Sequence, residues 1–149
     1  GELVEIGGSF RIPDVIQQGG AMLREVGCTN RLHLRDIEAV LSSDTGAILR
    51  VHTSNYRIVG FTSRPTRAEV CALASRYQVP VVEDLGSGLL SHAPNVPWKE
   101  MLEKEESIER ALAEGVDVVC ASGDKLLGGV QSGLIVGKKK PTKHQTKRA

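Results

Sequence analysis

Aromatic residues are nearly absent from this chain: two phenylalanines, two tyrosines and one tryptophan make up 3% of its 149 residues. Any core must therefore be aliphatic. At 40% hydrophobic content the aliphatic residues suffice for one domain of ordinary size, which excludes disorder over the whole length. Cysteine is scarce as well. Cys28, Cys71 and Cys120 form no CxxC pair and no His/Cys cluster, so a disulfide framework and a zinc site are not expected, and reduced thiols in a cytosolic protein are. No apolar run approaches the roughly 20 residues that span a bilayer, and the opening GELVEIGG is not a basic-then-apolar leader. The expectations are a cytoplasmic location and no membrane partner. Internal repeats are also missing.

Charge is present but unevenly placed. The formal net charge is +1, yet six of the nineteen basic residues (Lys138, Lys139, Lys140, Lys143, Lys147 and Arg148) fall in the last twelve positions with no acid among them. Residues 1–137 keep thirteen basic against eighteen acidic residues, a net charge of −5. The sequence thus divides into a mildly acidic body, 1–137, and a basic tail, 138–149, without apolar periodicity and expected to be disordered. Electrostatic contact of that tail with RNA is the alternative to simple solvation.

Within the body, strand-like and helix-like stretches alternate, the pattern of a layered α/β sheet. AMLREVG is a short strand candidate, weakened by Arg24 and Glu25. HLRDIEAVLSS places Leu34, Ile37 and Leu41 at helical spacing. AILRVH reads as a strand. TRAEVCALASRYQ reads as a helix with Val70, Leu73 and Ala74 on one stripe and Thr66 placed to cap it. VPVVED is a buried strand, SIERALAEG a helix closed by Gly115, and VDVVCAS and GLIVG the last two strands. Residues 91–106, with Pro94, Pro97 and the acidic run EKEES, read as an exposed excursion.

Ligands of open α/β sheets bind beyond the carboxyl ends of the strands. Three polar, glycine-bearing loops follow such ends here: HTSN after AILRVH, DLGSG after VPVVED, and SGDK after VDVVCAS. Lys125 lies in the last, before the glycines of LLGG. A lysine attacks carbonyls only when neutral, which desolvation in a glycine-walled turn can favour. Ser122, three positions upstream, can reach an anionic group beside it. Asp84, at the end of an apolar strand, requires a partner, and a protonated heterocyclic nitrogen is one suitable kind, as in pyridoxal phosphate enzymes. Ser87 and Asn55 are placed to hydrogen-bond a ring hydroxyl, and His52 to stack on the ring or move protons. Taken singly, each has a plainer reading: Lys125 as an exposed loop-tip lysine, Asp84 as a salt-bridge or capping residue, His52 as a histidine satisfied by local backbone.

GELVEIGGSFRIPDV, REVGCTNRLHLRDIE, VHTSNYRIVGFT, VVEDLGSG and SGDKLLGG, in that order, resemble the bacterial selenocysteine synthases, the L-seryl-tRNA(Sec) selenium transferases. These are fold-type-I pyridoxal phosphate enzymes, and the resemblance runs from Gly1 to about Gly137. It implies a mostly parallel sheet with flanking helices, part of a large cofactor-binding domain. It implies that Lys125 carries pyridoxal 5'-phosphate and that Asp84 faces its ring nitrogen. Ser87 would lie near the ring hydroxyl and Ser122 near the phosphate, with Asn55 drawn from the wider fold-type-I pattern. The implied reaction converts seryl-tRNA(Sec) to selenocysteyl-tRNA(Sec) with selenophosphate as selenium donor. Lys125 serves as general base at Cα, and neither metal nor DNA takes part. The implied assembly is a homo-oligomer, a decamer in the family.

Two small departures stand near the rim: Cys28 where the family usually has threonine, and Val130 where it usually has proline. The glycine-rich phosphate loop, the small C-terminal domain and the N-terminal tRNA-gripping region of such enzymes have no counterpart here. The expectation is a truncated copy, inactive alone. Two other readings remain open: a related fold-type-I lyase acting on a small amino acid or amino sugar, and a non-catalytic remnant that associates through exposed strand edges.

Overall fold

The computed structural model describes residues 2–6, 8–53, 55–91, 97, 99–102 and 105–138. Its centre is a four-stranded sheet in the order β3-β4-β5-β6: β3 (Ile48–Val51), β4 (Val81–Gly86), β5 (Val118–Ser122) and β6 (Gly133–Gly137). β3, β4 and β5 run parallel and β6 runs antiparallel to β5, so the expected mostly parallel sheet is found. Val82 pairs with Val118 and Asp84 with Cys120 across β4 and β5, and a register shift follows between Asp84 and Gly86.

Alternation along β4 fixes the two faces of the sheet. Val81, Glu83 and Leu85 are buried, while Val82, Asp84 and Gly86 are half-buried. On the buried face, Val81, Leu85, Val119 and Ala121 pack against Ala74 of α3 (Arg67–Arg76) and Ile108 and Ala111 of α5 (Ile108–Ala113). A second cluster joins Ile37 of α2 (Leu34–Glu38) to Val70 and Leu73 of α3. The apolar stripes read from the sequence are therefore the packing faces.

The helix ends follow local chemistry. Thr66 accepts from the Glu69 N–H at 3.2 Å, and Glu69 accepts from the Thr66 N–H at 2.7 Å, a reciprocal capping box that starts α3. Gly115, just past α5, adopts φ +116 and supplies the left-handed stop.

Several expectations change. Residues 21–27, considered as a strand, form no regular element: no described strand pairs with them, and Val26 instead packs individually against the second cluster. The helix expected over 33–43 is confined to Leu34–Glu38, with single turns carrying on to Leu41. Within the excursion 91–106 a short helix, α4 (Lys99–Leu102), is present, and residues 92–96, 98, 103 and 104 lie outside the described residues. So do residues 139–149, most of the basic tail. At the other end, an unexpected hairpin, β1 (Glu5–Ile6) with β2 (Phe10–Arg11), runs into α1 (Ile12–Gln18), whose first turn holds Pro13. This segment leans on β3, since the Glu2 carboxylate accepts from the Val51 N–H at 2.9 Å. No helix among the described residues is long and apolar enough to cross a membrane.

Candidate active site

The three loops expected to converge do follow the carboxyl ends of β3, β4 and β5. Because Asp84 pairs in register with Cys120, the two side chains share the half-buried face of the sheet, and Ser122, two residues further along β5, shares it too. Burial pushes the Cys120 thiol pKa up, and the neighbouring negative charge of Asp84 adds to the effect. Asp84 Oδ1 accepts from the Gly86 N–H at 3.0 Å. Among the described residues Oδ2 has no hydrogen-bond donor, so the carboxylate keeps one acceptor oxygen available to a cation.

Glycines make this rim possible. Gly88 adopts φ +61, and a Cβ on it would collide with the Cβ of Ala121, so the DLGSG loop lies directly against β5. Beyond β5 the chain closes a loop over 123–132. Its ends are held by Ser122 paired with Gly133 and by the Gly123 N–H donated to the Ser132 carbonyl at 2.9 Å. Within it the Lys125 carbonyl accepts from the Gly128 N–H at 2.9 Å, a tight turn that fixes the lysine backbone. The side chain follows the plainer of its two readings. Lys125 is exposed rather than desolvated, because the glycines around it carry no side chains to cover it and no other described element does so. Among the described residues its ammonium group meets no ion-pair or hydrogen-bond partner.

The remaining sequence candidates are less closely gathered. The Ser87 hydroxyl donates to Glu105 Oε2 at 3.1 Å, so it is engaged by a carboxylate that sequence reasoning left aside. The exposed Asn55 donates its amide to the Glu5 carbonyl at 3.1 Å. His52 is half-buried, and its backbone N–H donates to the Asp84 carbonyl at 2.8 Å. His52 and Asn55 line a cleft of about 1600 Å³ beside β3, which Asp84, Ser87, Ser122 and Lys125 do not line. The cleft is walled by Arg24, Arg31, Arg57 and Arg64, with Arg50 at its base. These arginines are too scattered along the chain to form a motif, which is why only the fold reveals them. Cys120 was equally hidden, since only strand register places it beside Asp84. Among the described residues no group of three His, Cys, Asp or Glu side chains could hold a metal ion.

A half-buried acid and a hydroxyl share one sheet face ahead of a lysine-bearing loop, at the rim of an open α/β domain with fold-type-I architecture. The architecture matches the structure of D-glucosaminate-6-phosphate ammonia-lyase with a TM-score of 0.72 and 22% identity, over 93% of this chain and 31% of that one. The particular family is settled by sequence. The family model described as L-seryl-tRNA selenium transferase matches residues 1–149, and the chain belongs to that family. It is 57% identical over 142 residues to the L-seryl-tRNA(Sec) selenium transferase of Solidesulfovibrio magneticus, 54% identical over 140 residues to that of Alkaliphilus metalliredigens, and 55% identical over 140 residues to that of Clostridium perfringens. Each match covers 94% of this chain, and the chain spans 29% of the length of each of these relatives.

Proposed function

We propose that this chain is the portion of an L-seryl-tRNA(Sec) selenium transferase that carries the lysine and the acid of a pyridoxal 5'-phosphate site, residues 1–137 forming it and 138–149 a basic appendage. The observation that carries the reading is the in-register pairing of Asp84 with Cys120, which sets Asp84 and Ser122 on one face just ahead of the Lys125 loop. The residues present suit the cofactor: Lys125 as its covalent anchor, Asp84 Oδ2 as acceptor for the ring-nitrogen proton, Ser122 as a phosphate ligand, and Ser87, Asn55 and His52 as ring neighbours. When bound, the cofactor supplies an electron sink for a carbanion at the substrate Cα. Asp84 would keep a proton on the ring nitrogen, and Lys125 would serve as general base toward the Cα proton of the seryl group. Ser87, oriented by Glu105, steadies the ring. The substrates are seryl-tRNA(Sec) and selenophosphate, and the setting is the cytoplasm.

Lys125 lies open to solvent, and among the described residues nothing encloses the amine or a group bound to it. The chain alone is therefore inactive, and covering by the rest of the protein and by further copies completes the site. Met22, Val59 and Phe61 at 96%, 91% and 85% exposure, together with Ile135 on the edge strand β6, give a homo-oligomer its apolar contacts. A lyase acting on a small amino acid or amino sugar is the second reading, supported by the shared fold. Seryl-tRNA(Sec) binding by the full-length protein separates the two.

The test is chemical. The chain is incubated with pyridoxal phosphate, reduced with borohydride and mapped by mass spectrometry. Label concentrated on Lys125, and reduced by Asp84→Ala, is the expected result. Label spread evenly over the lysines, unchanged in Lys125→Ala, would sink the assignment.

A further inference from the structure

We propose that Glu105 is a positioning residue that fixes the hydrogen-bond polarity of Ser87, making that serine an acceptor toward the ring hydroxyl of the cofactor. The inference rests on the pyridoxal phosphate reading above and deepens it. A serine hydroxyl has a single O–H to give and two lone pairs to offer. Ser87 Oγ donates to Glu105 Oε2 at 3.1 Å, so its proton is committed before any ligand arrives. A group that meets the other side of this oxygen must donate to it. The ring hydroxyl of pyridoxal phosphate does so only while it keeps its own proton.

The chain holds Glu105 from both sides. Its N–H donates to the Leu102 carbonyl at 3.0 Å, at the end of α4. Its neighbour Glu106 accepts from Arg67 Nη2 at 2.7 Å, which ties the segment to a buried guanidinium. Ser107, also buried, forms a parallel bridge with Leu89. The Ile108 N–H then donates to the Leu89 carbonyl at 2.7 Å, and the Glu109 N–H to the Leu90 carbonyl at 3.1 Å. Residues 105–109 thus run beside residues 87–90. Stepping two residues back from the Leu89–Ser107 bridge on each stretch gives Ser87 and Glu105, which is why the two side chains meet.

Ser87 is equally constrained. Its N–H donates to the Leu85 carbonyl at 2.7 Å, inside the same tight turn in which Asp84 Oδ1 accepts from the Gly86 N–H. Gly88, the next residue, lies against Ala121. The acid and the serine therefore stand at the two ends of one short turn with little freedom to reorient. Charge adds to the effect. A carboxylate behind Ser87 polarises its oxygen and strengthens it as an acceptor. The same carboxylate disfavours a second negative charge in front of the serine, such as a ring hydroxyl that has lost its proton.

The experiment is a double-variant cycle on the whole chain, with Glu105→Ala, Ser87→Ala and the two together, read in two ways. Without cofactor, amide hydrogen exchange is followed over residues 86–90. Each single change should speed exchange there about threefold to tenfold, the worth of one hydrogen bond, and the double change should add little more. With pyridoxal phosphate on Lys125, absorbance reports where the shared proton sits. The form with the proton on the ring oxygen absorbs in the near ultraviolet, and the form with it on the lysine nitrogen absorbs in the visible. Wild type should favour the first. Either single change should move the balance toward the second, again with no further shift in the double. Glu105→Gln, whose amide either accepts from Ser87 or donates to it, should lie between wild type and Glu105→Ala. Additive effects of the two changes would overturn the role of Glu105 while leaving Lys125 labelling intact. A wild-type spectrum already dominated by the visible band would overturn the acceptor polarity of Ser87. Coupled exchange without any labelling of Lys125 would instead strike the cofactor reading and this assignment together, leaving Glu105 a tether of the loop.

Discussion

Arg67 and Glu83 form a buried pair on the helix-covered side of the sheet. Nε donates to Oε2 at 2.5 Å and Nη2 to Oε1 at 3.2 Å, with 5% and 3% of the two side chains exposed. The remaining donors of Arg67 reach Glu106 at 2.7 Å and Glu114 at 2.6 Å, so one guanidinium ties α3, β4 and both ends of α5 together. Burial alone would lower its pKa, but the hydrogen bonds to Glu83, Glu106 and Glu114 raise it on balance. Breaking such a pair costs more than it gains by existing, because the survivor is left charged and dry. Arg67→Met should therefore destabilise the chain by about 3–5 kcal/mol. Arg67→Met combined with Glu83→Gln should cost less than the single change, although Arg50 then loses its own carboxylate partner. Urea unfolding at unchanged slope reads both. A single variant within about 0.5 kcal/mol of wild type would show the network to be dispensable.

Glu114 gives that network a pH dependence. A hydrogen bond from Arg110, and after it one from Arg67, holds its carboxyl below the usual carboxylate range. A carboxyl lowered in the folded state binds protons less readily there than in the unfolded chain. The stability it adds is present above the ordinary value of about 4.3 and is lost as pH falls through the lowered one. Melting temperature should drop from neutral pH toward about pH 3, and Glu114→Gln should flatten that fall while lowering the neutral-pH value. A Gln variant with the same acid profile as wild type would assign the acid sensitivity elsewhere.

The α3 capping box can be tested without touching the core. Thr66→Ala removes the acceptor for the Glu69 N–H and the hydroxyl donor to the Glu69 carboxylate, while the backbone half of the box stays, at a cost of about 1 kcal/mol. Thr66→Ser keeps the oxygen and should restore most of it. Thermal or urea unfolding decides. Equal losses in the two variants would mean that the Thr66 methyl, rather than its hydroxyl, is what matters.

Asp84 is the sharpest functional probe. With Oδ1 held by the Gly86 N–H and no donor to Oδ2 among the described residues, the carboxylate is positioned there by backbone rather than by a cationic side chain. Asp84→Asn preserves shape and one acceptor but removes the charge. It should weaken pyridoxal phosphate binding at least tenfold, about 1.4 kcal/mol, while leaving the unfolding midpoint near wild type. Equilibrium dialysis against the cofactor measures the first and urea unfolding the second. Loss of folding in place of loss of affinity would make Asp84 a structural residue.

Local chemistry explains what could be read in advance. Strands of β-branched residues, the stripe of Val70, Leu73 and Ala74, the Thr66 cap and the Gly115 stop all act within a few residues, so their signals lie in short windows. The partly parallel sheet and the rim loops follow from their order. What escaped depends on contacts distant in sequence. The partnership of Arg67 with Glu83, Glu106 and Glu114 spans three elements, and nothing near Arg67 marks it as buried. The engagement of Ser87 by Glu105 is equally non-local. Residues 21–27 misled because Val26 alone packs against the second cluster while Met22 stays exposed, so the apolar content builds no ladder. The exposure of Lys125 follows the plainer reading of a loop-tip lysine, since glycine shapes a turn without shielding it.

Gly88 separates two costs that are usually confounded. Its φ of +61 disfavours any side chain, and a Cβ there would also run into the Cβ of Ala121, a buried residue of β5. Gly20 has a comparable φ of +78 with no atom near its missing Cβ, so Gly20→Ala meets only the conformational penalty, about 1–2 kcal/mol. Gly88→Ala should cost more, roughly 2–4 kcal/mol, because overpacking is added to the same backbone strain. Replacing Ala121 by Gly in the Gly88→Ala background removes the colliding methyl, so the double variant should lie closer to wild type than the sum of the two single changes. Additivity of the two, measured by urea unfolding, would mean that the DLGSG loop swings away from β5 instead of being pinned against it.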